Sequence, residues 1–180
     1  MFGKHMAPVH RIDRATAGIT IFARTLFAKH ALENAFKKRL VKKTYYVICE
    51  GKANFTKQRV DQALEKVDLK SSKGPMAKTT ISTKGEPAST NFKVIQQLTP
   101  DYCLLEAQPI SGRMHQIRAH CSYLGLPVVG DKLYGAKTTC GPHTIALCAV
   151  GLVLPLPKGG TLTIDARTLF SPENYIKSRN

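Results

Sequence analysis

The residues best suited to chemistry in this chain stand in one short run, His10-Arg11-Ile12-Asp13-Arg14-Ala15-Thr16-Ala17-Gly18. It sets one carboxylate, Asp13, between two arginines. Nearby positive charge favours the charged form of a carboxylate. An ionised Asp on a positive loop suits work on a nucleic acid, with arginines holding phosphates while the carboxylate acts on sugar or base. The same residue has a plainer use, a turn Asp that accepts hydrogen bonds from its own backbone. Taken alone, the run favours that plainer use. A second run bears on the choice: Ser111-Gly112-Arg113-Met114-His115-Gln116-Ile117-Arg118-Ala119-His120-Cys121-Ser122-Tyr123-Leu124-Gly125. Here Met114, Ile117, Cys121 and Leu124 fit a helix with one buried stripe, stopped by Gly125 with Pro127 just beyond. Arg113, Arg118, His115, His120 and Gln116 fill the other positions. The two histidines have no carboxylate or cysteine at ligand spacing, so no metal site is expected.

The elements that must position these groups follow from periodicity. Gly18 lets the backbone turn into an apolar run, Ile19–Ala23, that reads as a strand. Ala28, Ala31, Leu32, Ala35, Phe36 and Leu40 recur at helical spacing. Tyr45 to Gly51 is β-prone, with Tyr45, Val47 and Cys49 on one face and Tyr46 and Ile48 on the other. Residues 52–90 are polar and Lys-rich, with turns at Lys73-Gly74-Pro75 and Lys84-Gly85-Glu86-Pro87, and read as short strands on long hairpins. Thr90–Ile95 and Cys103–Ala107 form an expected strand pair joined by Thr99-Pro100-Asp101. The loop Val129 to Gly135 leads to a core strand within Ile145–Leu156. The expected fold is α+β, a mixed, mostly antiparallel sheet flanked by helices, in a single domain over residues 1–180.

Lysines and arginines number 27 against 12 acids, a formal charge of +15 in 180 residues. Such an excess favours a polyanionic partner bound through phosphates. It clusters at Lys37-Lys38-Arg39 and Lys42-Lys43, although the first cluster also suits the negative end of a helix dipole. The five cysteines form no C-x-x-C pair, which argues against a structural zinc site or a disulfide framework and for buried thiols in a reducing compartment. No apolar run is long enough to span a membrane, and Met1-Phe2-Gly3-Lys4-His5 lacks a signal-peptide core, so a cytoplasmic location is expected.

Three motifs, in order, carry a family resemblance: the loop His10 to Gly18, Lys43-Thr44-Tyr45, and the stretch Gly112–Gly135, GRMHQIRAHCSYLGLPVVGDKLYG. Together they resemble the RluA-type pseudouridine synthases, which isomerise uridine in ribosomal or transfer RNA. The family pattern reads H-R-L-D-x-x-T-S-G, then K-x-Y, then G-R-T-H-Q-I-R-x-H and L-G-x-P-x-x-G-D-x-x-Y-G. The resemblance implies that Asp13 is the catalytic aspartate and that Arg118 pairs with it. It implies that Tyr45 packs on the target base and that Arg11 enters the RNA stack as the uridine leaves. Lys43, Arg113 and Gln116, from the same motifs, are expected to help bind substrate. The implied reaction proceeds through a covalent adduct or a glycal and needs no metal or organic cofactor; the implied enzyme is a monomer. Ala17, Met114 and Cys148 depart from the family's serine, threonine and histidine. Only 12 residues precede Asp13, where the family has a strand and a Lys-Pro-x-Gly loop, so an open sheet edge or a shortened front is expected, and with it reduced activity. The alternative function is a basic RNA-binding or RNA-folding module on the same scaffold without turnover. A DNA-binding domain lacks any helix-turn-helix or zinc-finger pattern here.

Overall fold

The computed structural model describes residues 6–69 and 76–176. Two pairs of residues flank the loop His10 to Gly18, β1 (Ala7–Pro8) and β3 (Phe22–Ala23), antiparallel partners; β2 (Ala17–Gly18) ends the loop itself. Helix α1 (Leu26–Lys37) follows, started by Thr25, whose hydroxyl accepts from the Ala28 N–H. Leu32 and Ala35 are its buried positions, and they pack with Val9, Ala23, Val41, Leu152 and Leu154. Leu40, expected on the same stripe, lies past the end of the helix and is exposed.

The main sheet is built from β4 (Lys42–Glu50), β5 (Lys57–Asp61), β8 (Ser89–Thr99), β9 (Tyr102–Pro109), β10 (Leu147–Pro155) and β11 (Thr161–Asp165). Their order across the sheet is β11-β10-β4-β9-β8-β5, every neighbour antiparallel. The mostly antiparallel α+β architecture expected from the sequence is the one observed. Between β5 and β8, β6 (Leu64–Leu69) and β7 (Met76–Ile81) pair into a separate hairpin. Its expected turn at Lys73-Gly74-Pro75 lies outside the described residues, as do Met1 to His5. The central strand β4 buries Val47, Ile48 and Cys49 completely, so both its faces are covered. One face meets α2 (Gln116–Tyr123), where Cys49 and Cys121 lie thiol to thiol, and the other carries Tyr46, edge-on to Phe170 at 5.4 Å. Cys49, Cys103 and Cys121 are buried and Cys140 and Cys148 half-buried, all as free thiols. Among the described residues no helix is long and apolar enough to cross a membrane.

The strand expected at Ile19–Ala23 is not continuous. The Ile19 N–H donates to Ala149 on β10, while the Ile21 N–H is taken by the His10 ring and the Ile21 carbonyl by the Val9 N–H. The segment therefore divides its backbone groups between two partners, and only Phe22–Ala23 remains in a ladder. β2 runs parallel to β10, with Ala17 beside Cys148 and Gly18 beside Ala149, in the place that β11 leaves open. Gly18 sits at φ +111°, and a Cβ there would lie 2.2 Å from the Ala149 carbonyl oxygen. Only glycine permits that approach. On the other edge of β10 the register with β4 shifts between Ala149 and Gly151, a bulge opposite Thr44 and Tyr45. Bulges of this kind re-aim the side chains beside them.

Candidate active site

The loop and the second run meet at one cavity of about 340 Å³, lined by Arg11, Asp13, Thr16, Lys43, Tyr45, Arg113, His115, Gln116 and Arg118 among others. His10 fastens the loop from behind: its ring stacks on Phe36 of α1 at 4.6 Å, and its Nε2 accepts from the Ile21 N–H. Burial lowers the pKa of His10, partly offset by its hydrogen bond to Arg11, so it holds the loop as a neutral ring. The Asp13 carbonyl accepts from the Thr16 N–H in the turn, but among the described residues the Asp13 carboxylate makes no bond to its own backbone. The plainer use of this residue is thus not the one adopted.

What the carboxylate meets is Arg118, whose Nη1 lies 3.7 Å from Asp13 Oδ2. Arg118 itself is held elsewhere. Its Nε and Nη2 donate to Oδ2 and Oδ1 of Asp131 at 2.6 and 2.8 Å, a bidentate pair in which Asp131 is 2% exposed. The ring of Tyr134 lies beneath the guanidinium at 4.8 Å. Burial works against the charged guanidinium, but the Asp131 hydrogen bonds, its charge and then Asp13 outweigh it and hold the Arg118 pKa above its ordinary value. A fixed cation therefore faces Asp13, oriented from behind by a second carboxylate. Asp131 was visible in the sequence only as a loop residue. Its buried role follows from Gly130-Asp131 standing where the chain returns beside β4, with the Asp131 N–H bonded to the Val128 carbonyl.

Tyr45 projects into the cavity from the strand next to the bulge, and burial, then the Asp13 charge, push its pKa up to about 12. It remains a neutral phenol, suited to packing against a base. Arg11 is exposed on the cavity rim, while Arg14 does not line the cavity. Lys43 donates from Nζ to the Ser111 carbonyl at 3.1 Å, and burial, then Arg39, lower its pKa. Arg113 pairs with Glu86 and reaches the Pro87 carbonyl.

Gln116 differs from its expected role as a substrate ligand. Its Oε1 accepts from the Ser111 hydroxyl and the Arg113 N–H, and its Nε2 donates to Ser89 O and Thr90 Oγ1. Every hydrogen-bonding site of the amide is engaged within the protein, so Gln116 braces the turn before α2 against β8. His120, fully buried, donates from Nε2 to the Gln62 carbonyl and accepts at Nδ1 from Thr90. Met114, expected on the buried stripe, precedes the helix and is 36% exposed, because the chain reaches α2 through a left-handed residue, His115 at φ +52°.

A family model described as RNA pseudouridylate synthase matches residues 2–123. The chain belongs to this family, as the three motifs imply. Among curated proteins it is similar to the ribosomal large subunit pseudouridine synthase C of Rickettsia conorii, 40% identical over 131 residues, 72% of this chain and 42% of that protein. The protein of the same name from Vibrio vulnificus is 36% identical over 129 residues, 72% of this chain and 39% of that one. The chain thus spans about two fifths of the length of these relatives. Among solved structures, human RNA pseudouridylate synthase domain containing 1 superposes with a TM-score of 0.77 at 25% identity, covering 94% of this chain and 71% of that one. Human RNA pseudouridylate synthase domain containing 4 follows at a TM-score of 0.71 and 24% identity, covering 90% of this chain and 71% of that one, a likeness of fold.

Proposed function

We propose that this chain isomerises uridine to pseudouridine in RNA, with Asp13 as the catalytic residue. The observation that supports it best is the Asp13–Arg118 contact at 3.7 Å in a cavity that also holds Tyr45 and Arg11. A reading as a backbone-binding module gives no reason for a carboxylate at the centre of a positive site. The target nucleotide must leave its stack to reach Asp13, as in other base-modifying enzymes. Arg11 fills the vacated space, and Tyr45 packs on the extruded base. Asp13 then attacks carbon 1′ of the sugar or takes its 2′ proton, the base nitrogen leaves with the bonding pair, and the uracil turns and rejoins through carbon 5, as Asp13 is displaced or the 2′ proton is returned. Carbon 5 then gives up its proton and the freed ring nitrogen takes one. Arg118, facing the carboxylate, orients Asp13 throughout.

The reaction is a rearrangement without net oxidation, so no metal or organic cofactor is invoked. Large-subunit ribosomal RNA is the first substrate to test, since the curated relatives carry that activity in their names; transfer RNA is the second. Release of tritium from RNA labelled at uridine carbon 5 measures turnover. Asp13→Asn is expected to abolish release while RNA affinity is kept or improved, because a charge that repels phosphate is gone. Binding by the unaltered chain with no release on either RNA would favour the module without turnover.

A further inference from the structure

His115 has no part in the reaction as just described, yet both its backbone and its ring are constrained on the cavity wall. It is one of few non-glycine residues with positive φ, +52°, a conformation that L side chains adopt at a cost. Its Nδ1 lies 3.1 Å from the hydroxyl of Tyr134, and the two rings meet edge to face at 5.7 Å. The Tyr134 oxygen already accepts from the Thr79 N–H at 2.9 Å. The hydroxyl still has a proton to give, and Nδ1 stands within reach to accept it. An imidazole that accepts at Nδ1 carries its single proton on Nε2. Among the described residues Nε2 has no hydrogen-bond partner in the protein, and the ring lines the cavity with Asp13.

The surroundings favour the neutral ring. Burial, then Arg118, lower the His115 pKa; Asp13 and Asp131 pull the other way, and Arg11 adds to the lowering. The cleft already has cations for phosphate in Arg11, Lys43 and Arg113. An uncharged donor of fixed tautomer, set beside the reacting carboxylate, matches a different group. When the glycosidic bond breaks, the electron pair stays on the uracil, and the charge spreads onto its carbonyl oxygens.

We infer that His115 is a substrate-contacting residue, whose Nε2–H is presented to a carbonyl oxygen of the extruded uracil and strengthens its hold as that oxygen becomes negative. The inference rests on the isomerase reading above. Donors aimed at developing charge act on the transition state more than on the ground state.

The test is His115→Asn, because asparagine tolerates the left-handed backbone and so removes the imidazole without adding strain. Steady-state tritium release is expected to show kcat lower by about 10²–10³-fold, with KM for the RNA and the melting temperature little changed. Tyr134→Phe, which removes the proton that fixes the tautomer, is expected to lower kcat less. Nitrogen-15 shifts of His115 in the unaltered protein at pH 7.5 should show the proton on Nε2. Unchanged kcat in His115→Asn with an active wild-type chain would overturn this inference alone, as would a rise in KM only, the mark of a phosphate contact. A proton found on Nδ1 would overturn it too. No release by the wild-type chain on either RNA would overturn the isomerase reading and this inference with it.

Discussion

The two stretches that meet at the cavity are held in opposite ways. The loop from His10 to Gly18 carries the groups proposed to face substrate, and its fastenings are few: one stacked ring, one hydrogen bond to that ring, one internal turn, one bond from the Ile145 N–H to the Ala15 carbonyl and a two-residue pairing with β10. Arg11 is exposed and the Asp13 side chain 25% exposed. The stretch from Ser111 to Gly135 carries Gln116, Arg118, His120 and Asp131, all buried, and each has its polar atoms engaged. Reaction needs access; orientation needs cover. The chain separates the two duties, so that a reactive group on the loop is aimed by a guanidinium that cannot itself turn. Substitutions at the buried, internally bonded residues of the second stretch and at the exposed residues of the loop should then differ in kind, with stability lost in the first and turnover in the second.

The largest effect on stability is expected from Asp131→Ala. It leaves the Arg118 guanidinium buried without its bidentate partner, and removing one member of a buried pair costs about 3–5 kcal/mol. Urea denaturation followed by circular dichroism measures it; a loss no larger than that of Asp13→Asn would break the contrast.

A smaller effect is expected from pH. Burial lowers the pKa of His10, His115 and His120, so the folded protein resists protons that the unfolded chain takes up at the ordinary histidine value of 6.5. Stability is therefore full above pH 6.5 and falls as the pH drops through that value toward the depressed folded ones. Melting temperatures at pH 7.5 and 5.5 should decrease in that order. His120→Asn should flatten the slope more than a substitution at exposed His30.

Arg11→Met should affect stability least, within about 0.5 kcal/mol as for other exposed positions, while tritium release falls sharply. Equal loss of stability and turnover would mean that Arg11 fastens the loop rather than entering the RNA.

The elements of the sheet were legible because apolar alternation in Tyr45 to Gly51, Thr90 to Ile95 and Cys103 to Ala107 matches strands covered on one or both faces. Three things were not. The loop's exit looked like a strand because Ile19, Ile21 and Phe22 are β-prone, but propensity does not reveal that two partners compete for the same backbone groups. Gln116 was expected to bind substrate because it stands in the motif with Arg113 and Arg118; its four partners come from segments over 20 residues away as well as from its own turn. Asp131 stands in the same motif as Arg118, but nothing in the motif says that the two pair; the return of the chain beside β4 brings them together. One departure from the family pattern gains sense from the register: Ala17 and Cys148, both atypical, are neighbours across β2 and β10.

That parallel pairing of β2 with β10 also fixes when the site can exist. The loop holding Asp13 rests on Cys148 and Ala149, residues made some 130 positions later. A ribosome adding residues in order therefore releases the loop long before the strand that seats it, and closing so distant a contact is slow relative to local pairing. Hairpins such as β8 with β9 form before β10 is made; the Asp13 loop waits for β10. On the isomerase reading proposed above, a nascent chain thus lacks a seated Asp13 until β10 has emerged, which would keep that chemistry away from the RNA of the machine that is building it.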